Sequence, residues 1–252
     1  MHLQTEQELL STGMQKIFSF RHLCCWVRLS LWLILSLACI TSHAADTDPI
    51  RIGVLGHRGA EHTLAAWQPT ADYLAERIPG QNFTIIPLTL DEMRLAAAQQ
   101  ALDFVVTNGA IYIEMEVRHG AVRSATLINR TGDKRGSEFG AVIFTRAERD
   151  DINQLSDLRG KSFIAVNSYA WGGWLLPQYE LRHQGILPED FSTLSYSDYP
   201  FDSLVYAVMN GEADAGAVRS DLLEAMATEG KLDLDQVKIL NPRSEDGFPY
   251  LL

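Results

Sequence analysis

From Ile50 onward the chain alternates short apolar runs with amphipathic stretches, and this alternation restricts its fold more than any other feature. Runs of branched apolar residues predict strands, and apolar residues three or four positions apart predict helices. The first half of the chain offers this series: "IRIGVL", "HTLAAWQPTADYLAERI", "FTIIPL", "DEMRLAAAQQ" and "LDFVVTN". Strands that alternate with helices usually pair in parallel through right-handed crossovers. The sequence therefore predicts an α/β protein with mainly parallel sheets.

A second series of the same kind follows the polar loop "RTGDKRGSEFG". Its predicted strands are "AVIFTR", "SFIAVN", "ADAGAV" and "QVKIL". Its predicted helices are a short one around 152–158, "GGWLLPQYELRHQG", "FDSLVYAVMNG" and "SDLLEAMATEG". Between the two series, "IYIEMEVRHG" is compatible with a helix or a strand, and "AVRSATLIN" is strand-like. Two series of similar size predict two lobes with a cleft between them.

These boundaries predict a first lobe over residues 45–135 and a second lobe over 136–240. Residues 241–252 would begin a return to the first lobe. The chain stops at "DGFPYLL", directly after a strand and a polar turn, without a closing helix. We expect a fragment or an early stop, so that the domain is truncated at its C-terminus.

Residues 1–44 have the pattern of a targeting segment. Lys16, Arg21 and Arg28 precede an apolar run over 29–40, and "TSHA" then supplies the small residues that a signal peptidase requires. The apolar run is shorter than the ~20 residues that span a bilayer as a helix. We expect a signal peptide and a periplasmic protein, with an uncleaved anchor in the inner membrane as the alternative.

Cysteine usage and charge exclude several classes of function. The three cysteines, Cys24, Cys25 and Cys39, all lie in the targeting segment, so the exported part has no disulfide, thiolate metal site or cysteine nucleophile. The formal net charge of −11 argues against a nucleic-acid surface. An anion would have to be bound by local positive potential, from helix N-termini and a few arginines.

Ligands of open parallel sheets lie beyond the carboxyl ends of the strands, and two such junctions in the first lobe are chemically unusual. In "GHRGAEHT", either Arg58 or His57 could face the cleft, and a solvated polar loop is the alternative. In "TNGAIY", Thr107 and Asn108 suit ligand contact or simple helix capping, and Tyr112 would lie one turn into a helix.

The third junction is "NSYAWGGW". Asn167 and Ser168 offer side-chain donors, and Gly172 and Gly173 would let backbone N–H groups approach a ligand. Pro177 cannot donate a backbone hydrogen bond, which favours a helix that starts near Gly173 with the proline in its first turn. The upstream N–H groups would then be able to face an anion.

Two tryptophans and an arginine complete the set of candidates. Trp171 and Trp174 are three residues apart and can share one face of a helix, either as a cleft wall or as core. In the fourth junction, "DAGAVRSD", Arg219 could pair with an oxyanion through two hydrogen bonds. An ordinary salt bridge from Arg219 to Asp221 or Asp214 is the alternative.

The sequence does not favour catalysis. It has no G-x-S-x-G elbow, no P-loop and no H-E-x-x-H motif. His57 and His62 are five residues apart, which is poor spacing for a shared metal on one helix face. We expect no enzyme activity, no metal and no cofactor.

Four segments together resemble a known family, the phosphate/phosphonate-type (PhnD-like) periplasmic substrate-binding domain. The resemblance is strongest to the version that forms the extracytoplasmic sensor of tetrathionate-sensor-like histidine kinases. The segments are "RGAEHTLAAWQPTADYLAERIPG", "LDFVVTNGAIYIEMEVRHGAVRSATLINR", "FGAVIFTRAERDDINQLSDLRGKSFIAVN" and "VYAVMNGEADAGAVRSDLLEAMATEGKLDL". The resemblance implies a two-lobed, type II periplasmic-binding fold that closes on a small oxyanion.

The resemblance also implies where ligand contacts lie. They match Thr107 and Asn108 with Tyr112, then Asn167 and Ser168 with the Gly172–Gly173–Trp174 turn, and the region of Arg219. The stretch Tyr169–Trp171 differs from the Ser/Thr-rich anion loop of phosphonate binders, so the resemblance leaves the ligand open.

We therefore expect an extracytoplasmic domain that binds a sulfur or phosphorus oxyanion, such as tetrathionate or a phosphonate, and signals to a histidine kinase. The first alternative is the substrate-binding component of a phosphonate/phosphate-type ABC transporter, with a permease as partner. The second alternative is a truncated remnant without function.

Overall fold

The computed structural model describes residues 48–131, 134–240 and 248–249. The predicted targeting segment therefore lies outside the described residues, as does most of the predicted return segment. Within the described ranges, no helix combines the length and the apolar character needed to cross a bilayer.

The first of the two main sheets is parallel and has the strand order β2-β1-β3. Its strands are Ile50–Leu55 (β1), Phe83–Leu88 (β2) and Phe104–Val106 (β3). The accompanying helices are Ala60–Arg77 (α1), Leu90–Ala98 (α2) and Gly109–His119 (α3). These six elements are referred to below as the first lobe.

The second lobe is built on a five-stranded sheet with the order β11-β7-β10-β8-β9. Before it come three short strands, Asn129–Thr131 (β4), Lys134–Gly136 (β5) and Glu138–Phe139 (β6). The sheet consists of Ala141–Arg146 (β7), Ser162–Ala165 (β8), Thr193–Tyr196 (β9), Ala215–Arg219 (β10) and Val237–Ile239 (β11). Its helices are Leu176–His183 (α4), Phe201–Met209 (α5) and Leu222–Thr228 (α6). Three 3₁₀ turns, Leu155–Leu158, Pro188–Asp190 and Leu234–Gln236, and a π-helical turn, Trp171–Leu175, complete it, and Phe248–Pro249 (β12) pairs with β6.

The prediction of an α/β fold with mainly parallel sheets is confirmed, with one strand reversed. β7 runs antiparallel to both of its neighbours, β10 and β11, while β8 is parallel to β9 and β10. An apolar strand buried on both faces has the same composition in either direction, so the sequence pattern carries no signal for the reversal. β9 was not predicted, since "TLSY" is half polar and lies at an edge of the sheet.

The structure decides between helix and strand for "IYIEMEVRHG", and it shows that the strand expected at "AVRSATLIN" is absent before Asn129. "IYIEMEVRHG" is helical, because Asn108 caps α3 at its start and Gly120, with a left-handed φ of 69°, ends it. "AVRSATLIN" was expected to be a strand, but it has no regular structure before Asn129. Val122 is exposed by 85% and Ile128 by 67%, whereas Leu127 is half-buried and lines the cavity described below, and no partner strand pairs with this segment among the described residues.

One apolar cluster contains residues of both lobes. From the first lobe it includes Leu90 and Met93 of α2 and Ile111 of α3, and from the second lobe it includes Phe144 and Leu204. These side chains are at most 1% exposed. Burial of apolar surface is the main favourable term in association, so this shared cluster holds the lobes against each other.

A partly buried carboxylate joins the second sheet where β8 and β10 begin. Asp214 Oδ2 accepts hydrogen bonds of 2.8 Å from both the backbone N–H and the hydroxyl of Ser162, and Oδ1 forms an ion pair with Arg149. Burial alone would raise the pKa of Asp214, but the hydrogen bonds from Arg149 and Ser162 outweigh it and lower the pKa. The carboxylate is therefore ionised in the folded protein.

Replacing this carboxylate tests the packing of the second lobe. Asp214→Ala leaves the Ser162 N–H without an acceptor, so we expect the free energy of unfolding to fall by about 1–3 kcal/mol. The matched control, Glu212→Ala at an exposed position on the same turn, should change it by less than about 0.5 kcal/mol. Urea denaturation of the three proteins measures both values.

The same carboxylate predicts a pH dependence. Because the folded-state pKa of Asp214 is lowered, its contribution is complete above the pKa of an unfolded aspartate, about 3.9, and is lost as the pH falls through the folded-state pKa. The difference in stability between wild type and Asp214→Ala should therefore shrink in acid. A constant difference from neutral pH to pH 3 would contradict this account.

Candidate functional site

A cavity of about 830 Å³ lies between the lobes, at the carboxyl ends of strands from both sheets. All four junctions singled out in the sequence contribute to its wall. The described residues from these junctions that line it are His57, Arg58, His62, Thr107, Asn108, Trp171, Gly172, Arg219 and Asp221. Parallel strands direct their following loops to one edge of a sheet, which explains why junctions far apart in sequence meet here.

Arg219 is a partly buried cation of the second lobe at this cavity. It ends β10, and its guanidinium lies 5.1 Å from the ring centroid of Phe139. Burial lowers the pKa of Arg219 to about 10, while the nearby charges of Asp221 and Tyr199 oppose that shift. A positive charge in a desolvated position is stabilised by an incoming anion more strongly than an exposed one. Arg219 is thus the best-placed group of the described cavity for an anionic ligand.

Thr107 and Asn108 follow β3 but play different roles. Asn108 Oδ1 accepts a 3.1 Å hydrogen bond from the N–H of Ile111, so this amide oxygen caps α3. Thr107 is 9% exposed, and its hydroxyl is buried without a hydrogen-bond partner among the described residues. A buried hydroxyl without a partner costs free energy. Of the two, Thr107 has the polar atom that a ligand could satisfy.

Arg58 lines the cavity, but its guanidinium joins the lobes. Nη2 lies 2.7 Å from Asp202 Oδ2, and Nη1 lies 2.5 Å from Glu229 Oε1, both on the second lobe. The Arg58 side chain is 5% exposed. Hydrogen bonds from Arg58 and Lys231 lower the pKa of Glu229 to about 2, so the pair is fully charged at neutral pH. Arg58 therefore forms an ion-paired tie between the lobes at the cavity wall, and its predicted contact with a ligand stays a prediction.

A second tie lies on another part of the lobe boundary. The hydroxyl of Tyr169 donates a 2.8 Å hydrogen bond to Asp91 Oδ2, and the Arg94 guanidinium lies 4.3 Å from the centroid of the Tyr169 ring. Asp91 and Arg94 belong to α2, whereas Tyr169 precedes the π-helical turn of the second lobe. The N–H of Phe201 also donates a 3.0 Å hydrogen bond to the carbonyl of His57 across the boundary.

His57 is a cavity residue that sequence reasoning raised only as an alternative to Arg58. Burial and the charge of Arg219 lower the pKa of its imidazole to about 3, so the ring is neutral at neutral pH. Nδ1 lies 3.4 Å from the Leu55 carbonyl, and the ring meets Phe201 edge to face at 6.3 Å. A neutral imidazole can donate or accept a hydrogen bond but adds no charge to the cavity.

The glycines of the third junction serve close packing. A Cβ on Gly172 would lie 3.0 Å from Cβ of Arg219, and a Cβ on Gly173 would lie 2.9 Å from Cβ of Val166. The helix begins as the π-helical turn and continues as α4, with Pro177 in the first turn of α4 as predicted. Gly172 lines the cavity, and Gly173 lies behind it against the second-lobe core.

The two tryptophans have different surroundings. Trp174 is 3% exposed and packs in the second-lobe core, with ring centroids 6.0 Å from Phe163 and 6.3 Å from Tyr196. Trp171 lines the cavity. The predicted ligand role of Trp174 is therefore corrected to core packing, because the π-helical turn rotates Trp171 rather than Trp174 toward the cleft.

Three more predicted residues lie outside the lining of the cavity. Asn167 is 7% exposed, and its Oδ1 accepts a hydrogen bond from the N–H of Tyr169, which stabilises the local turn. Ser168 is exposed at that turn. The Tyr112 hydroxyl donates to Glu116 Oε1 at 2.8 Å along α3. These geometries give Asn167, Ser168 and Tyr112 structural or solvent-facing positions.

Several lining residues had no signal in the sequence. Phe139 precedes β7, Tyr199 and Phe201 flank a proline before α5, and Trp67 lies on α1. Each reads as an ordinary core aromatic, and only the contact between the lobes brings them to one cavity. Among the described residues, no group of three or more His, Cys, Asp or Glu side chains is arranged to hold a metal ion.

Two α/β lobes with a cavity at the carboxyl ends of their strands define a type II periplasmic binding protein. Residues 52–247 match the family model described as the ABC transporter, phosphonate, periplasmic substrate-binding protein. The chain belongs to this family of periplasmic binding proteins.

Known proteins similar to the chain include a sensor kinase and transporter components. The tetrathionate sensor histidine kinase TtrS of Salmonella typhimurium is 34% identical over 208 residues, which are 82% of this chain and 34% of that relative. The chain thus spans about a third of the length of this curated relative.

Two solved structures share the fold. A binding protein component of an ABC phosphonate transporter from Pseudomonas aeruginosa has a TM-score of 0.68 at 14% identity, covering 81% of this chain and 67% of that one. PhnD1 from Prochlorococcus marinus, in complex with methylphosphonate, has a TM-score of 0.63 at 17% identity, covering 80% and 72%. At these identities the likeness is one of fold.

The Arg58 tie can be tested directly. Arg58→Ala removes the first-lobe cation that pairs with Asp202 and Glu229 and leaves them only Lys231 of their own lobe, so we expect the free energy of unfolding to fall by about 1.5–3 kcal/mol. Loss of the tie should also favour separation of the lobes, which small-angle X-ray scattering measures as a larger radius of gyration. Arg182→Ala, at an exposed position on α4, is the matched control. An Arg58→Ala protein as stable and as compact as Arg182→Ala would contradict the role of Arg58 as a tie.

Proposed function

We propose that this chain is an extracytoplasmic solute-binding domain that closes on a small oxyanion of sulfur or phosphorus and signals to a histidine kinase. The observation that carries the proposal is the position of Arg219, a desolvated cation at a cavity between two lobes. The buried Thr107 hydroxyl adds a polar group that a ligand oxygen could satisfy. In this proposal residues 1–44 export the domain or tether it to the inner membrane.

The proposed mechanism is closure of the two lobes around the ligand. A ligand shifts the equilibrium between open and closed forms only by its difference in affinity for the two. Arg219 belongs to the second lobe and Thr107 to the first, so a ligand that contacts both would favour the closed form. The ties at Arg58 and Tyr169 would then form or strengthen, and the change in lobe orientation would be passed to the partner.

Similarity to a tetrathionate sensor kinase at 34% identity favours a sensor role. The family description and the solved binding proteins favour the alternative, the substrate-binding component of an ABC transporter with a permease as partner. Deleting the gene separates the two. Loss of ligand-induced transcription with unchanged ligand uptake would support the sensor, and loss of uptake would support the transporter.

A thermal-shift screen tests the oxyanion proposal itself. The compounds are tetrathionate, thiosulfate, sulfite, phosphate, phosphite and alkylphosphonates. A ligand that binds only the folded protein at 100 times its Kd stabilises it by about 2.7 kcal/mol, which gives a clear rise in Tm. A folded sample that none of these compounds stabilises would count against the proposal.

Substitution of Arg219 tests the anion contact. Arg219→Ala should weaken binding of the stabilising anion by about 1–3 kcal/mol, because a charge-assisted hydrogen bond is lost. Arg219→Lys should recover part of this loss, since it keeps the charge without the planar fork. Ser168→Ala, at an exposed position outside the cavity lining, is the control in isothermal titration calorimetry. Equal affinity of the Arg219→Ala and Ser168→Ala variants would remove Arg219 from the site.

Thr107→Val separates ligand binding from folding. The Thr107 hydroxyl has no partner among the described residues, so its replacement by a methyl group should leave the free energy of unfolding unchanged or higher. Ligand affinity should fall by about 0.5–1.5 kcal/mol, the value of one hydrogen bond. A loss of stability without a loss of affinity would contradict a ligand role for Thr107.

A further inference from the structure

The imidazole of His57 is a polar group of the cavity wall to which the proposed function gives no role. His57 follows β1, is half-buried and lines the cavity. Its carbonyl accepts a 3.0 Å hydrogen bond from the N–H of Phe201, and its ring meets the Phe201 ring edge to face. Contacts from the second lobe thus hold this first-lobe histidine in place at the boundary between the lobes.

A backbone carbonyl determines which ring nitrogen of His57 carries the proton. Nδ1 lies 3.4 Å from the carbonyl oxygen of Leu55, and a carbonyl oxygen has lone pairs but no proton to donate. The tautomer protonated at Nδ1 places an N–H against this oxygen, whereas the other tautomer would set two lone pairs against each other. In the favoured tautomer Nε2 has a lone pair, so it can only accept a hydrogen bond.

This lone pair is unused in the folded protein. Burial lowers the pKa of His57 to about 3, the positive charges of Arg219 and Arg58 and the nearby His62 act in the same direction, and the hydrogen bond to Leu55 opposes them. The ring is therefore neutral. Its Nε2 has no hydrogen-bond partner among the residues that the structure describes. The other histidine of the wall differs, since His62 Nε2 lies 3.2 Å from Arg58 Nη1 and accepts from that guanidinium.

The Thr107 hydroxyl lies at the neighbouring strand end. β1 pairs with β3 so that Val54 is opposite Val106, which brings the residues that follow, His57 and Thr107, to one edge of the first sheet. A hydroxyl can donate or accept, whereas the His57 ring offers only an acceptor. A fully deprotonated anion could accept from Thr107, but its oxygen would set a lone pair against Nε2. An anion that keeps one O–H can satisfy both groups.

We propose that His57 determines which anions the cavity accepts, because its Nε2 accepts a hydrogen bond from a ligand that keeps one protonated oxygen. This inference rests on the proposed function, since it names the class of oxyanion that the same cavity binds. Acid anions with an O–H belong to this class, whereas sulfonates, sulfate and tetrathionate do not, because all their oxygens are deprotonated. A site that pairs with an O–H rejects an analogue without one, since the polar group of the site is then left unpaired.

Calorimetric titration of the full chain with a matched pair of anions tests the inference. In mildly acidic buffer, methylphosphonate and methanesulfonate have similar shapes and the same single negative charge, and they differ by one O–H. The comparison therefore does not depend on how Arg219 is engaged. Methylphosphonate should bind at least about tenfold more tightly, because methanesulfonate lacks the hydrogen bond and leaves Nε2 unpaired. Tetrathionate, titrated in the same buffer, should also bind more weakly than methylphosphonate.

Substitutions of His57 link the preference to its ring. His57→Phe keeps an aromatic ring against Phe201 but removes the acceptor, so the affinity for methylphosphonate should fall about tenfold, while that for methanesulfonate should be unchanged or higher. His57→Gln keeps an amide oxygen that can accept and should recover part of the loss. His183→Phe, at an exposed position on α4, is the control. If thermal melting shows that His57→Phe is unfolded, His57→Leu makes the same test.

The outcomes separate this inference from the proposed function. If methanesulfonate or tetrathionate binds the wild type as tightly as methylphosphonate, the inference is overturned and the binding of a small oxyanion stands. If methylphosphonate is preferred and the variant without the acceptor keeps that preference, the assignment to His57 is overturned. If none of the three anions binds the folded protein, the inference fails, and the thermal-shift screen decides whether the oxyanion proposal fails with it.

Discussion

Contact between the two lobes is the constraint on which the site depends. Neither lobe alone forms the wall of the cavity. Thr107 and Trp67 of the wall come from the first lobe, and Arg219 and Trp171 come from the second. The apolar cluster that includes Met93 and Phe144 supplies most of the driving force for this contact. The ion pairs of Arg58 restrict the relative orientation of the two lobes, since two carboxylates must meet one guanidinium in a defined geometry.

The position of Arg219 follows from a chain of local requirements. β10 ends at Arg219, and the π-helical turn approaches that strand end closely enough that a side chain at Gly172 would collide with it. The guanidinium lies over the ring of Phe139, and burial lowers its pKa. Gly172 thus lets the turn lie against the strand end that carries Arg219, while Gly173 packs the same turn against Val166 and Phe201 of the second-lobe core.

Much of the fold and part of the site could be predicted from the sequence. The strand–helix alternation and the convergence of the four junctions follow from periodicity and from the geometry of parallel strands, and both are present. The direction of β7 could not be predicted, because a strand buried on both faces has the same apolar composition whether it runs parallel or antiparallel to its neighbours. Which of Trp171 and Trp174 lines the cavity could not be predicted either, because it depends on the π-helical turn between Trp171 and Leu175. Arg58 was expected at a ligand from its glycine-rich junction, and its ion pairs could not be predicted because its carboxylate partners lie 144 and 171 positions away in the sequence.

The apolar cluster shared by the lobes also has a thermodynamic consequence. If the ligand draws separated lobes together, it buries Leu90, Met93 and their partners at the moment of binding, and the heat capacity of the system falls markedly. If the lobes already touch without a ligand, that surface is dry beforehand and the heat capacity changes little. The temperature dependence of the binding enthalpy therefore reports the resting arrangement of the domain, whichever anion it recognises.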